Sequence, residues 1–241
     1  MDPPLDRERH LRYLLRCLRT LLPHQYTSND SIRMTLGGFT VAAIDLLTSS
    51  SADAPKPVLT SHDRRLFRDW VLACQHPAGG FAGSPTHALP RHQYDGYDFE
   101  TQQATTGAPG TANIAATYFA LQLLALLAAE DTAESAFSGI DRIATLNWLR
   151  RLQRDDGSFG EVVVQIPDHA RKKKWTISGG RDMRYCYIAA AIRWVLRGDV
   201  CEGQTTWVED INVDALAGYI KNAQTYDGGF SESSTHESHG T

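Results

Sequence analysis

Three segments of this chain repeat one pattern, and repetition of that kind leaves few architectures open. An aromatic residue stands five positions before a glutamine, and a glycine turn ending in phenylalanine follows. The copies are Trp70, Gln75 and Gly79-Gly80-Phe81; Trp148, Gln153 and Asp156-Gly157-Ser158-Phe159; and Tyr219, Gln224 and Asp227-Gly228-Gly229-Phe230. The glutamines lie 78 and 71 residues apart, so each unit holds more than a minimal helix pair and carries a variable insertion. Units that recur on this scale bury their apolar faces against the next unit. Glycine is expected as the left-handed cap that ends a helix, and the phenylalanine as a plug between neighbouring pairs.

Between these turns the apolar residues keep helical spacing, and no stretch alternates as a half-buried strand would. Leu11, Leu14, Leu15, Leu18 and Leu22 form one stripe, Arg7, Arg9, Arg12, Arg16 and Arg19 the solvated side, and Pro23 the stop. Segments 32–47, 113–127 and 183–196 are apolar on most sides and read as inner helices. Segments 62–74, 140–152 and 213–223 each keep a polar face and read as outer ones. Inner and outer helices therefore alternate. Segments 48–56, 77–110 and 162–180 read as loops, the last with the solvated run Arg171-Lys172-Lys173-Lys174.

Composition narrows the function classes. With 42% hydrophobic residues the chain can bury a core, and a net charge of −4 argues against a nucleic-acid binder. Cys17, Cys74, Cys186 and Cys201 show no CxxC spacing, which fits free thiols in a reducing compartment. The opening MDPPLDRERH has no apolar signal core, and the most apolar stretch, 114–127, is too short to span a bilayer. A cytoplasmic protein with no transmembrane segment is expected. His236 and His239 lack the HExxH spacing, and the segment from Asp95 to Glu100 is too short for a calcium loop, so no complete metal motif is present.

Several segments together resemble the β subunit of CaaX protein geranylgeranyltransferase type I, a protein prenyltransferase. They are Arg9-His10-Leu11-Arg12-Tyr13 with Arg16-Cys17-Leu18, Leu22-Pro23-His24-Gln25-Tyr26, and Arg33-Met34-Thr35-Leu36 with Phe39 and Ile44-Asp45-Leu46-Leu47. Asp155-Asp156-Gly157-Ser158-Phe159, Asp182-Met183-Arg184-Tyr185-Cys186-Tyr187, and Tyr226-Asp227-Gly228-Gly229-Phe230 with Glu237-Ser238-His239-Gly240 complete the series. The resemblance implies an all-α fold, the α-α toroid, in which inner helices ring a funnel and outer helices surround them. It also implies transfer of a geranylgeranyl group from its diphosphate to the cysteine of a C-terminal CaaX motif. The implied partners are a prenyltransferase α subunit, geranylgeranyl diphosphate and CaaX-terminated small GTPases, and the implied cofactor is zinc. Such chemistry needs an apolar tunnel, a cationic rim for the leaving group, and a metal that makes a thiolate of the peptide thiol.

Carried over residue by residue, the resemblance puts Thr35, Phe39, Tyr118 and Tyr187 along the isoprenoid, Arg184 near the peptide's carboxylate end and His239 on the diphosphate. Thr35 is the position for lipid choice, because farnesyl enzymes carry a bulky Trp there. A threonine leaves room for another isoprene unit, at about 0.8 kcal/mol per buried methylene. Two positions depart from the family pattern. Asn113 stands in place of a histidine and Gly180 in place of a carboxylate, both from a network around the peptide's C-terminus.

The family's zinc ligands are expected downstream of Thr241. The reading is therefore one toroid domain over 1–241, incomplete at its C-terminal end and with little transferase activity of its own. Farnesyl-type or Rab-type β subunits, and a non-catalytic repeat partner of an α subunit, are the alternatives. A terpene cyclase would need a DxDD-type acidic motif, and none is present.

Overall fold

The computed structural model describes residues 5–21, 23–49, 58–86, 97–98, 103–104, 111–128, 135–167, 173–198 and 200–232. Its helices are α1 (Arg7–Arg19), a 3-10 segment (His24–Ile32), α2 (Arg33–Ser49), α3 (Ser61–Ala73), α4 (Ile114–Leu126), α5 (Arg142–Arg151), α6 (Met183–Arg197) and α7 (Val213–Asn222). Helices α2, α4 and α6 lie side by side with α4 in the middle. Behind them α1 packs on α2, α3 on α4, and α5 and α7 on α6. The alternation of inner and outer helices expected from the sequence is the observed one, and the fold is the α-α toroid type.

The inner helices are buried along one stripe each. On α2 it runs through Met34, Gly38, Val41 and Ile44; on α6 through Cys186, Ala189, Ile192 and Leu196. These spacings of three and four keep residues on one helix face. Helix α4, flanked on both sides, buries Ile114, Ala116, Thr117, Ala120, Leu121, Leu123 and Leu124. Gly38 sets how closely α2 meets α4, because a Cβ there would stand 2.8 Å from the Phe119 ring. Helix α1 lays Leu11, Leu14, Leu15 and Leu18 on the same core and ends at Arg19, one turn ahead of Pro23.

The repeated turns are superimposable in their hydrogen bonding. Ala82, Gly160 and Ser231 donate their amides to Cys74, Leu152 and Ala223 (2.9, 3.0 and 3.0 Å). His76, Arg154 and Thr225 donate to Gly80, Ser158 and Gly229 (2.9, 2.8 and 3.0 Å), and Gln75, Gln153 and Gln224 bridge to Phe81, Phe159 and Phe230. Phe81 and Phe159 are fully buried plugs, as expected.

Two expectations need correction. The glycines do not cap the helices, which end in right-handed residues at Cys74, Leu152 and Ala223. Gly79, Gly80, Gly157 and Gly228 lie in the turn beyond, at φ of 102°, 76°, 88° and 85°. Segment 162–180 is also more than a loop: Val162–Pro167 and Lys173–Ser178 pair as antiparallel strands in register Val162↔Ser178 to Pro167↔Lys173. Val163 and Val164 are both buried, so this β-branched run has no polar face and no alternation to detect. Lys173 and Lys174 of the basic run belong to the strand Lys173–Ser178. Three two-residue strands lie within 77–110 or at its border, Phe81–Ala82, Tyr97–Asp98 and Gln103–Ala104; the first pairs with Ala112–Asn113.

Candidate functional site

The face of α2, α4 and α6 turned away from the outer helices carries aromatic groups in unbroken contact. Phe39 on α2 meets Phe119 on α4 edge-on, with ring centroids 5.1 Å apart. Phe119 meets Tyr118 at 5.4 Å, and Tyr118 meets Tyr187 on α6 at 5.8 Å, again edge-on. The two tyrosine hydroxyls are 3.0 Å apart, and Gln122 Nε2 donates to the Tyr118 hydroxyl at 2.8 Å. Burial pushes Tyr118 up to about 12, the Tyr187 hydroxyl adds to the shift, and Gln122 opposes it. Tyr118 therefore stays neutral near pH 7, and the two polar tips satisfy one another within an apolar wall.

Thr35 precedes Phe39 by one turn and is half-buried. Three of the four residues assigned to the lipid, Phe39, Tyr118 and Tyr187, are thus joined in one contact series, and Thr35 lies on the same helix face as the first. Phe39 and Tyr187 remain 62% and 63% exposed, so their rings are presented outward and do not plug the core. Sequence reasoning missed Phe119, Gln122, Leu46 and Trp194. Leu46 and Trp194 follow Phe39 and Tyr187 by seven residues, which extends the wall by about 10 Å along the same helix faces. They are 72% and 75% exposed, and the seven-residue spacing could have found them.

Arg184 opens α6, three residues before Tyr187 and on its face. Its guanidinium pairs with Asp182 (Nη2–Oδ2 2.6 Å, Nε–Oδ2 2.9 Å), and Asp182 Oδ1 also caps α6 by accepting from the Arg184 amide at 2.8 Å. The pair is exposed and local, not buried. Such pairs contribute about 0–1 kcal/mol, so a competing carboxylate can draw the guanidinium away. Glu209 pairs with Arg150 (2.6 Å). The approach to α6 is fixed from the second turn. Arg154 donates to the carbonyls of Phe159 (2.9 Å), Gly179 (2.7 Å) and Gly180 (3.3 Å), and Arg181 Nε donates to Asp156 (2.8 Å).

The two departures have local structural roles. Asn113 is buried as the cap of α4, its Oδ1 accepting from the Ala116 amide at 2.7 Å. A Cβ at Gly180 would approach Glu232 Oε1 at 3.4 Å, so a carboxylate at 180 would crowd one already there. His239 lies outside the described residues. Among the described residues no group of three or more His, Cys, Asp or Glu could hold a metal ion, so they do not supply the zinc donor set that the resemblance implies. No helix among the described residues is long and apolar enough to cross a membrane.

The family model for the prenyltransferase alpha-alpha toroid domain matches residues 5–241. The chain is 28% identical over 243 residues to geranylgeranyl transferase type-1 subunit beta of Arabidopsis thaliana, a match covering 98% of this chain and 53% of that protein. It is 25% identical over 243 residues to protein farnesyltransferase subunit beta of Pyricularia oryzae, covering 99% of this chain and 38% of the other. Among solved structures it is similar to Candida albicans protein geranylgeranyltransferase-I complexed with GGPP. The TM-score is 0.67 at 22% identity, and the match covers 98% of this chain and 56% of that one. The chain spans about half the length of the geranylgeranyl relatives just named.

Proposed function

Because the chain belongs to the prenyltransferase α-α toroid domain family, we propose that it is the lipid-facing part of the β subunit of a protein geranylgeranyltransferase type I. The observation that carries this is the aromatic series Phe39–Phe119–Tyr118–Tyr187 across three inner helices, with Thr35 one turn from its first ring. Such a wall binds a polyprenyl chain by removing its methylenes from water and keeps the reacting end dry. In the reaction, the sulfur of a CaaX cysteine bonds to C1 of the geranylgeranyl group as the C1–oxygen bond breaks. Diphosphate leaves with that electron pair, and the thiol proton is lost to solvent.

In this reading Thr35, Phe39, Tyr118 and Tyr187 hold the lipid, Arg184 faces the carboxylate end of the peptide, and His239 donates to the diphosphate. An α subunit, CaaX-terminated small GTPases, a zinc ion and a cytoplasmic setting complete the assignment. One toroid domain over 1–241 is part of the same proposal. Zinc would turn the peptide thiol into the nucleophile; the described residues contribute the lipid wall and a fixed positive charge.

The experiment is a comparison of fluorescent geranylgeranyl and farnesyl diphosphate analogues binding to the chain and to Thr35→Trp. The parent is expected to favour the longer lipid, and Thr35→Trp to reverse the preference by weakening the longer one at least tenfold. An unchanged ratio in Thr35→Trp removes the tunnel assignment. A second reading is a non-catalytic repeat partner of an α subunit. Co-purification with an α subunit without zinc-dependent turnover supports it, and turnover eliminates it.

A further inference from the structure

The run Arg171-Lys172-Lys173-Lys174 is a charged feature that the lipid wall leaves unused. Three of the chain's five lysines fall in it, and segment 162–180 holds a single acid, Asp168, so its charge is opposite to the chain's net −4. Lys173 and Lys174 open the strand Lys173–Ser178, paired with Pro167 and Ile166 of the strand Val162–Pro167. They lie at the far end of a two-stranded arm whose near end is the pair Val162↔Ser178. Six residues per strand put roughly 17–20 Å between the two ends.

The near end is rooted on the rim of the site. The Glu161 amide donates to the Ser178 carbonyl (2.8 Å), and the Glu161 carbonyl accepts from the amide of Ile114, the first residue of α4 (3.0 Å). Arg154 holds the Gly179 and Gly180 carbonyls, just ahead of Arg184 on α6. Val163 belongs to the core around Cys186 and Ile192, and a Cβ at Gly160 would lie 2.2 Å from Ile177 Cγ2. The arm therefore rises between the starts of two inner helices, with Arg184 near its foot.

Under the transferase reading, on which this inference rests, a folded substrate protein stays outside the hollow. Only its C-terminal residues go in, with the carboxylate end toward Arg184, and the chain upstream of the acceptor cysteine leaves over the rim. An extended polypeptide advances about 3.3 Å per residue, so the arm is as long as about five or six of those upstream residues. We propose that the paired strands Val162–Pro167 and Lys173–Ser178 are a docking arm for an acidic stretch of the substrate protein, just upstream of its CaaX cysteine. Charge complementarity selects this occupant, since the far end of the arm is basic in an acidic chain. Lysine suits an irregular acidic stretch, because its flexible stem carries a point charge that needs no fixed fork geometry. Such contacts discriminate among substrates, and a lysine-rich upstream stretch is repelled.

The test loads the full chain with a fluorescent geranylgeranyl diphosphate analogue and measures binding of three labelled peptides by anisotropy. All end in the same CaaX sequence, and their upstream residues are all Glu, all Ser or all Lys. The Glu peptide is expected to bind roughly tenfold tighter than the Lys peptide, from a few exposed ion pairs, with the spread shrinking as salt is raised. Lys173→Gln with Lys174→Gln removes the spread, and Lys173→Glu with Lys174→Glu reverses it. Both variants keep the parent's affinity for the lipid analogue and for the Ser peptide, which shows that they are folded. Equal binding of the three peptides by the lipid-loaded parent, or an unchanged order in the Glu variant, overturns the arm alone. No binding of the lipid analogue by the parent overturns the transferase reading and the arm with it. Pelleting with phosphatidylserine vesicles that the Glu variant abolishes, without any peptide preference, assigns the charge to a membrane and overturns the arm as well.

Discussion

Alanine at Gly157 and alanine at Gly228 meet the same backbone angle and opposite surroundings, so the pair separates strain from packing between units. Both glycines hold positive φ, 88° and 85°. An L-residue with a Cβ costs about 1–2 kcal/mol there. At Gly228 that is the whole effect, since nothing lies within 4 Å of the added atom. At Gly157 the new methyl would sit 2.1 Å from the Ala215 carbonyl oxygen and 2.9 Å from the Leu216 amide nitrogen, both backbone atoms of α7. No rotamer relieves that contact. The helix must back away and strain the two hydrogen bonds by which Gln153 grips the backbone of Asn212, the cap of α7, an overpacking cost of about 1–3 kcal/mol on top of the strain. Chains of this size lose about 2–4 °C of melting temperature per kcal/mol. Calorimetry is therefore expected to give a drop of roughly 4–20 °C for Gly157→Ala and roughly 2–8 °C for Gly228→Ala. Equal drops would refute the claim that the glycine is selected by the next helix and would leave only the turn's own geometry.

Two further outcomes follow from the site and the core. Tyr118 is raised to about 12, so the folded chain keeps a proton that the unfolded chain loses near 10; its contribution is whole below pH 10 and is lost between about 10 and 12, and Tyr118→Phe should lessen the fall of the urea midpoint over that range. Burial pushes the Cys74 thiol up to about 12 and raises Cys186, whereas Cys201 is exposed and Cys17 half-buried. Thiol labelling at pH 8 should thus modify Cys17 and Cys201 in the native chain, and Cys74 and Cys186 only after denaturant; early labelling of Cys74 would contradict its burial.

Helical periodicity was enough to place every inner and outer helix, because one-sided burial repeats at three and four residues whatever the neighbours are. Phe81 and Phe159 could be read as plugs for a related reason: a large apolar residue after a tight turn has little choice but to go inward. Other features depend on contacts that the local pattern does not encode. Val163 and Val164 point to opposite faces of their strand and are both buried, so Val162-Val163-Val164 carries no alternation. The glutamines were visible as a recurring letter, yet their partners, Asp141 and Asn212, lie 66 and 59 residues away. The role of the glycines was misjudged because a left-handed residue near a helix end has two common uses, and only the position of α5 and α7 decides between them. At the site, Phe39, Tyr118 and Tyr187 were assigned by resemblance alone. The hydroxyl pair, and Phe119 as the link between rings, appear only when α4 is set between α2 and α6.

The first two turns each hold the start of a distant outer helix, α5 and α7, through one glutamine. The stretch between one grip and the next is consequently free to lengthen, shorten or take up a hairpin, as the unequal spacing of the three glutamines already illustrates. New surface features can be added at those places without renegotiating the ring. In a molecule of this kind, diversification would be written in the interludes, while the joints stay the same.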